Sequence, residues 1–123
     1  MTLKQYFENT KGAGVLATAD KTGQVDAAVY ARPHLQEDGT LAFIMRDRLS
    51  HQNIQSNPNA TYLFIEDGPG YKGKRLYLEK VREEQDSELL NSLRRRKYPE
   101  LKGETTYLVF FKLKNERPLV GDN

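Results

Sequence analysis

The stretch that decides the fold is Ala27–His34, AAVYARPH, followed after a turn by Leu41–Phe64, LAFIMRDRLSHQNIQSNPNATYLF. It reads as strand, hairpin, strand, short helix, strand. The first strand alternates with period two from Gln24 to Arg32. Val25, Ala27, Val29 and Ala31 point one way, and Asp26, Ala28, Tyr30 and Arg32 the other. Tyr30, Arg32 and His34 then share a face, a polar-aromatic set suited to line a planar ligand or to meet its polar end. The plain alternative is a solvent-facing surface held by cross-strand packing. Pro33 cannot donate to a ladder and marks an edge or a strand end. The helix opens at Arg48-Leu49-Ser50-His51 and closes at Asn57-Pro58. Its start sets the Arg48 guanidinium, the Ser50 hydroxyl and His51 beside backbone N–H groups with no partner inside the helix, which is how proteins commonly hold phosphate. The plain alternative is an ordinary helix cap with a solvated arginine. A phosphate seat beside a polar-aromatic strand face suggests a phosphorylated cofactor.

Outward from this stretch, Thr2–Lys11 reads as a short helix. Thr2 and Gln5 fit a capping box, and Leu3, Tyr6 and Phe7 recur at helical spacing. Gly12 and Gly14 are expected to end it. Ala13–Ala19 is a small-residue strand, and Asp20-Lys21-Thr22-Gly23 and Glu37-Asp38-Gly39 are turns. Gly73–Glu83 is a longer, half-polar strand. Asp86–Tyr98 is a helix with a Leu89, Leu90, Leu93 stripe, ended by Pro99. Thr40–Met45, Ala60–Ile65 and Tyr107–Leu113 are apolar on both faces and need cover on both sides, a hint of dimerisation. Residues 1–115 are expected to form one domain, and 116–123 a polar tail that is part of a loose Asn115–Asn123 end. The order helix, three strands, helix, two strands, helix, strand suggests a closed antiparallel β-barrel with peripheral helices.

The 123 residues suit one domain with its own core. The chain has no cysteine, which excludes disulfides, thiolate metal sites and a cysteine nucleophile. Two histidines, His34 and His51, cannot form a three-histidine metal site, and no metal is expected. No apolar run approaches the ~20 residues of a membrane span. The N-terminal MTLKQYFENTK lacks the basic and apolar regions of a signal peptide, so a cytoplasmic location is expected. A net charge of +2 does not argue for nucleic acid. Arg94-Arg95-Arg96-Lys97 is read as a solvated helix end, with an RNA-binding barrel as the last-ranked alternative. The glycines of Asp67–Gly73 lack the GxxxxGK[ST] pattern and make a hairpin connection or a ligand-covering loop. Catalytic side chains are not identifiable: no HExxH or GxSxG pattern occurs, and Glu83-Glu84 with Asp86 reads as a helix start.

AAVYARPH at Ala27–His34, the LAFIMRDRLSHQNIQSNPNATYLF unit with Asn53-Ile54 and Asn57-Pro58 in its helix, and EDGPGYKGKRLYLEK at Glu66–Lys80 together resemble the pyridoxamine 5′-phosphate oxidase-like, FMN-binding split-barrel family. The similarity covers most of residues 1–115 and is to the small stand-alone members. It implies a six-stranded antiparallel split β-barrel, working as a homodimer with FMN at the subunit interface. Carried over position by position, it implicates Tyr30, Ala31 and Arg32, then Ile44, Met45 and Arg46, with the phosphate at Arg48, Ser50 and His51. Arg75 would reach across from the partner subunit. Many members have a lysine near this helix start, where this chain has Leu49-Ser50-His51. The pyridoxal-binding residues of the true oxidases are not recognisable in this sequence. The expected function is that of an FMN-dependent oxidoreductase of unknown substrate. The alternative is a non-catalytic carrier or sensor of FMN, haem or the deazaflavin F420.

Overall fold

The computed structural model describes residues 1–94 and 105–121. The chain runs α1 (Leu3–Asn9), β1 (Gly12–Ala19), β2 (Val25–Val29), β3 (His34–Leu35), β4 (Leu41–Arg46), α2 (Leu49–Ser56), β5 (Asn59–Glu66), β6 (Gly73–Gln85), α3 (Glu88–Leu93) and β7 (Thr106–Pro118). All pairings are antiparallel, in the order β2-β1-β5-β6-β7-β4-β3. Six strands are substantial, as expected, and the seventh is the two-residue β3. The sheet curls round one core, and its edge strands β2 and β3 are joined by residues 30–33 without pairing, which leaves the barrel split. No helix among the described residues is long and apolar enough to cross a membrane.

Inside the curl lie Leu16, Phe43, Met45, Tyr62, Phe64, Leu76, Leu78, Val109 and Phe111, with Phe7 of α1 closing one end. The register stacks Leu16, Tyr62 and Leu76 in one row across β1, β5 and β6. The Tyr62 hydroxyl is fully buried and donates to the Tyr30 carbonyl at 3.1 Å. Two bulges, at Tyr77/Leu78 and Lys80/Arg82, bend β6 so that it serves both β5 and the far half of β7.

The outer surface divides in two. Over β4 and β7, α3 lays Leu90 and Leu93 on Ala42, Ile44, Leu108 and Phe110, a second core. The apolar outer faces of Thr40–Met45 and Tyr107–Leu113 are therefore covered within the chain. Ala60–Ile65 differs: its outward Ile65 is exposed, and on the same sheet face Val25 and Val29 of β2 are 70% and 82% exposed. The bland alternation of β2 thus has its apolar side outward and its Tyr30 side inward, because β2 is an edge strand whose inner neighbours are Phe43 and α2.

Other local expectations were altered by packing. The capping box is present, with the Thr2 hydroxyl accepting from the Gln5 N–H and the Gln5 side chain accepting from the Thr2 N–H. Gly12 and Gly14 do not end α1, whose C-cap is Thr10. They lie in β1, where a Cβ at Gly12 would overlap the Ile65 carbonyl and one at Gly14 the Tyr62 hydroxyl. The Asn115–Asn123 tail is ordered as strand through Pro118, since β6 offers it partners from Lys74 to Tyr77. The last helix is seen as Glu88–Leu93, capped by Ser87. Its expected continuation to Tyr98 and most of the Arg94–Lys97 run lie outside the described residues. Arg94 itself donates to the Thr106 hydroxyl at 3.0 Å.

Gly14→Ala is expected to lower the unfolding free energy by about 1–3 kcal/mol, because the methyl competes with the Tyr62 hydroxyl for one space. Chemical denaturation measures it, and a change below about 0.5 kcal/mol would show that the hydroxyl has room to yield.

Candidate functional site

The helix start expected to hold phosphate is α2. Its N-cap is Arg48, two residues before Ser50, and the Arg48 side chain makes no capping hydrogen bond. Leu49, Ser50 and His51 therefore form the first turn, whose N–H groups carry the positive end of the helix dipole. Arg46 and Arg48 lie just before that turn in the chain. The helix is pinned to the sheet by a buried amide: Asn53 Nδ2 donates to Thr18 Oγ1 at 3.0 Å, and both residues are inaccessible.

Ser50 and Tyr30, twenty positions apart, are brought together. Ser50 is buried and hydrogen-bonds the Tyr30 phenol. The Tyr30 ring stands edge-on to Phe43, with centroids 6.2 Å apart and planes at 88°. Burial pushes the Tyr30 hydroxyl above its ordinary pKa, the Ser50 hydrogen bond works against that, and Asp26 adds to it. A neutral phenol adds no negative charge beside the helix start.

Beside this pair, β4 pairs with β7 along its whole length, from Leu41 to Arg46, but with β3 only at Leu41 and Ala42. From Phe43 to Arg46 the strand has a partner on one side alone among the described residues. This open edge is the split in the barrel. It presents backbone donors and acceptors to whatever lies there. Of the β4 residues assigned by resemblance, Met45 points into the core and Ile44 packs toward α3, so their side chains are structural and only their backbone serves the edge. Ala31 is exposed just past β2.

Two assigned side chains are placed elsewhere. Arg32 turns away from Tyr30 and donates to the Phe7 and Thr10 carbonyls at 2.7 and 3.0 Å, satisfying the C-terminal end of α1. With His34, it borders a cleft between α1 and β3 that no α2 residue lines. The polar strand face is thus split, Tyr30 to one place and Arg32 with His34 to another. Arg75 donates to the Pro118 and Gly121 carbonyls of its own chain.

The His51 ring meets carboxylates. Its Nδ1 is 3.0 Å from Asp47 Oδ1, and its Nε2 is 3.1 Å from Glu83 Oε2. The ring stacks on Tyr107, with centroids 3.9 Å apart and planes at 15°. A phosphate on this ring would face both carboxylates, so the His51 side chain does not belong to an anion seat, although its backbone N–H remains in the first turn. Asp47 stands four residues before His51, a spacing the sequence displays. Glu83 lies 32 residues on, in β6 and not at a helix start, and no sequence signal joins it to His51. Burial works to raise the Glu83 pKa, but hydrogen bonds from Lys80, Gln55 and His51 outweigh it and hold the carboxyl at about 2. No group of three or more His, Cys, Asp or Glu side chains among the described residues is arranged for a metal ion.

The lowered Glu83 pKa fixes the sign of an acid effect. The stabilisation is complete above the ordinary glutamate pKa of 4.5 and is lost as pH falls through that value toward about 2. Glu83→Gln is expected to be less stable than the wild type near neutral pH, with the gap closing in acid. Denaturant titrations across that range test this, and a gap independent of pH would contradict it.

No family model matches the sequence, and no curated protein matches it by sequence. Solved structures match along nearly the whole chain. An FMN-binding protein from Syntrophomonas wolfei subsp. wolfei superposes with a TM-score of 0.74 at 18% identity, covering 98% of this chain and 85% of that one. An F420 reductase superposes at 0.73 with 14% identity, covering 95% and 98%. The haem storage protein HutZ of Vibrio cholerae superposes at 0.58 with 17% identity, covering 94% and 91%. At these identities the likeness fixes the architecture and leaves the ligand open. The chain has the split-barrel fold of the pyridoxamine 5′-phosphate oxidase-like proteins.

Proposed function

We propose that this chain is a member of the pyridoxamine 5′-phosphate oxidase-like family and a homodimeric flavoprotein that binds FMN noncovalently. One observation carries the reading. A helix start without a side-chain cap sits in the same site as the buried Ser50–Tyr30 pair and the one-sided edge of β4. An anion seat, an aromatic wall and a row of backbone polar groups are the three things a phosphorylated planar cofactor needs. The N–H groups of Leu49, Ser50 and His51, with Arg46 and Arg48, hold the phosphate. Backbone groups of Ala31 and of Ile44–Met45 meet the polar edge of the ring, and Tyr30 shapes its cavity. FMN, when bound, supplies electron or hydride transfer. The described residues contribute binding and electrostatics to an oxidoreductase reaction. They fit the group without the lysine many family members carry, because two arginines, Arg46 and Arg48, stand just before the turn.

The dimer reading rests on the uncovered outer face. The register aligns Val29, Val15 and Leu63 in one row and Ala27, Ala17 and Thr61 in the next. A contiguous apolar sheet face of this kind is what a second copy would cover. Val29→Asp, at an exposed position, is expected to give a folded monomer by light scattering. A variant that keeps the wild-type mass would place any interface elsewhere.

Binding is tested by quenching of added FMN fluorescence, with riboflavin as the phosphate-free control. Saturable FMN binding is expected, with Arg48→Ala about tenfold weaker for FMN and unchanged for riboflavin. Equal affinities for FMN and riboflavin in the wild type would remove phosphate from α2. A second reading, a carrier or sensor of haem or F420, is favoured by the named ligands of two structural neighbours. An intense Soret band on haem addition, or saturable F420 binding with FMN ignored, would replace the FMN assignment.

A further inference from the structure

His51 has more hydrogen-bonding partners than a neutral imidazole can serve in one way. Nδ1 faces Asp47, and Nε2 faces both Glu83 oxygens, at 3.2 and 3.1 Å. The Gln55 amide nitrogen also lies 3.1 Å from Nε2 and 2.9 Å from Glu83 Oε1. A neutral ring carries one N–H, whereas an imidazolium carries two. Two arrangements are therefore available. In the protonated one, Nδ1–H donates to Asp47 and Nε2–H to Glu83, so the ring bolts the loop before α2 to β6. In the neutral one, Nδ1–H still donates to Asp47, but Nε2 accepts from Gln55 and its bond to Glu83 is gone.

We propose that His51 is a proton-dependent positioning residue, a clamp that fixes the first turn of α2 by joining Asp47 and Glu83 when charged and relaxes it when neutral. The groups that face the ring from every packed element support this. The preceding loop gives Asp47, β6 gives Glu83 and Lys80, α2 gives Gln55, and β7 gives Tyr107 as a stacking floor. Lys80 is bound to Glu83 at 2.6 Å and keeps that carboxylate ionised as an acceptor through the ring's titration. The ring itself is buried, so its two nitrogens meet protein groups. The inference rests on the phosphate reading of α2 for its consequence: the turn that moves with His51 is the turn proposed to hold FMN. Affinity for a phosphorylated flavin then falls as pH rises through the His51 titration.

Two measurements test the clamp, and the first needs no flavin. NMR of the His51 ring gives its titration midpoint, and amide hydrogen exchange gives the protection of Gln52–Ile54. Protection factors are expected to step down as pH rises through that midpoint. Glu83→Gln should move the midpoint down, since the charged form loses its acceptor, and Gln55→Ala should move it up, since the neutral form loses its donor. A midpoint unmoved by either change, or protection that ignores it, overturns the proposal. The second measurement is FMN affinity against pH in the wild type and in His51→Gln, with riboflavin as control. The wild type is expected to bind FMN about three- to tenfold more tightly than His51→Gln on the acid side, with the two converging on the alkaline side. Parallel profiles overturn the coupling. A wild-type chain that ignores FMN overturns the FMN reading alone, and the ring and exchange data then decide the clamp by themselves.

Discussion

A tyrosine hydroxyl shut inside an apolar barrel must find an acceptor, at a cost of about 1–3 kcal/mol if it does not. In this chain the hydroxyl is that of Tyr62, and the acceptor is the Tyr30 carbonyl. Much of the site follows from this one bond. It requires β1 to pass without a side chain at Gly14, and it fixes where β2 leaves the sheet. It also turns the Tyr30 ring inward against Phe43, where its phenol meets Ser50 of α2. The β2–α2 contact is completed by Asn53 on Thr18. The core thus sets the position of a helix start in a molecule whose surface residues alone would not.

The charges around that helix are sorted by sign. Arg46 and Arg48 precede its first turn, while Asp47, between them in sequence, is engaged by His51. Glu83 is likewise engaged, by His51, Gln55 and Lys80. The two nearby carboxylates are therefore occupied with one imidazole and are partly neutralised whenever it is protonated. An anion at the N–H groups of α2 would meet arginines and a helix dipole against carboxylates already paired.

What the sequence displayed, and what it hid, follows from how local each interaction is. Strand periodicity, the Thr2–Gln5 box, the turns at Gly23 and Gly39, with φ of 92° and 88°, and the short helix before Asn57-Pro58 are local, and they are where they were expected. The joining of Tyr30 with Ser50 was legible as two halves of one site. Arg32 was misread because its partners are carbonyls at the end of α1, 22 and 25 residues away, which no pattern marks. Arg75 donates within its own chain, to acceptors in a C-terminal segment whose polar composition hides the fact that it continues a strand. His51 looked like an anion ligand because basic residues cluster beside it, and only the fold shows that Glu83 comes to the ring. The two-sided apolar strands implied missing cover. For β4 and β7 that cover is α3, and among the described residues the β2, β1 and β5 face keeps exposed apolar side chains.

The central claim is that the first turn of α2 and the open edge of β4 form one ligand site. Amide-resolved NMR during FMN titration tests it most directly. The account predicts that the largest shifts fall on Leu49–Gln52, on Ile44–Arg46 and on Tyr30–Ala31, with the cleft residues Lys4, Glu8 and His34 unmoved. Shifts centred on that cleft, or spread over the outer face of β1 and β5 with α2 silent, would contradict it.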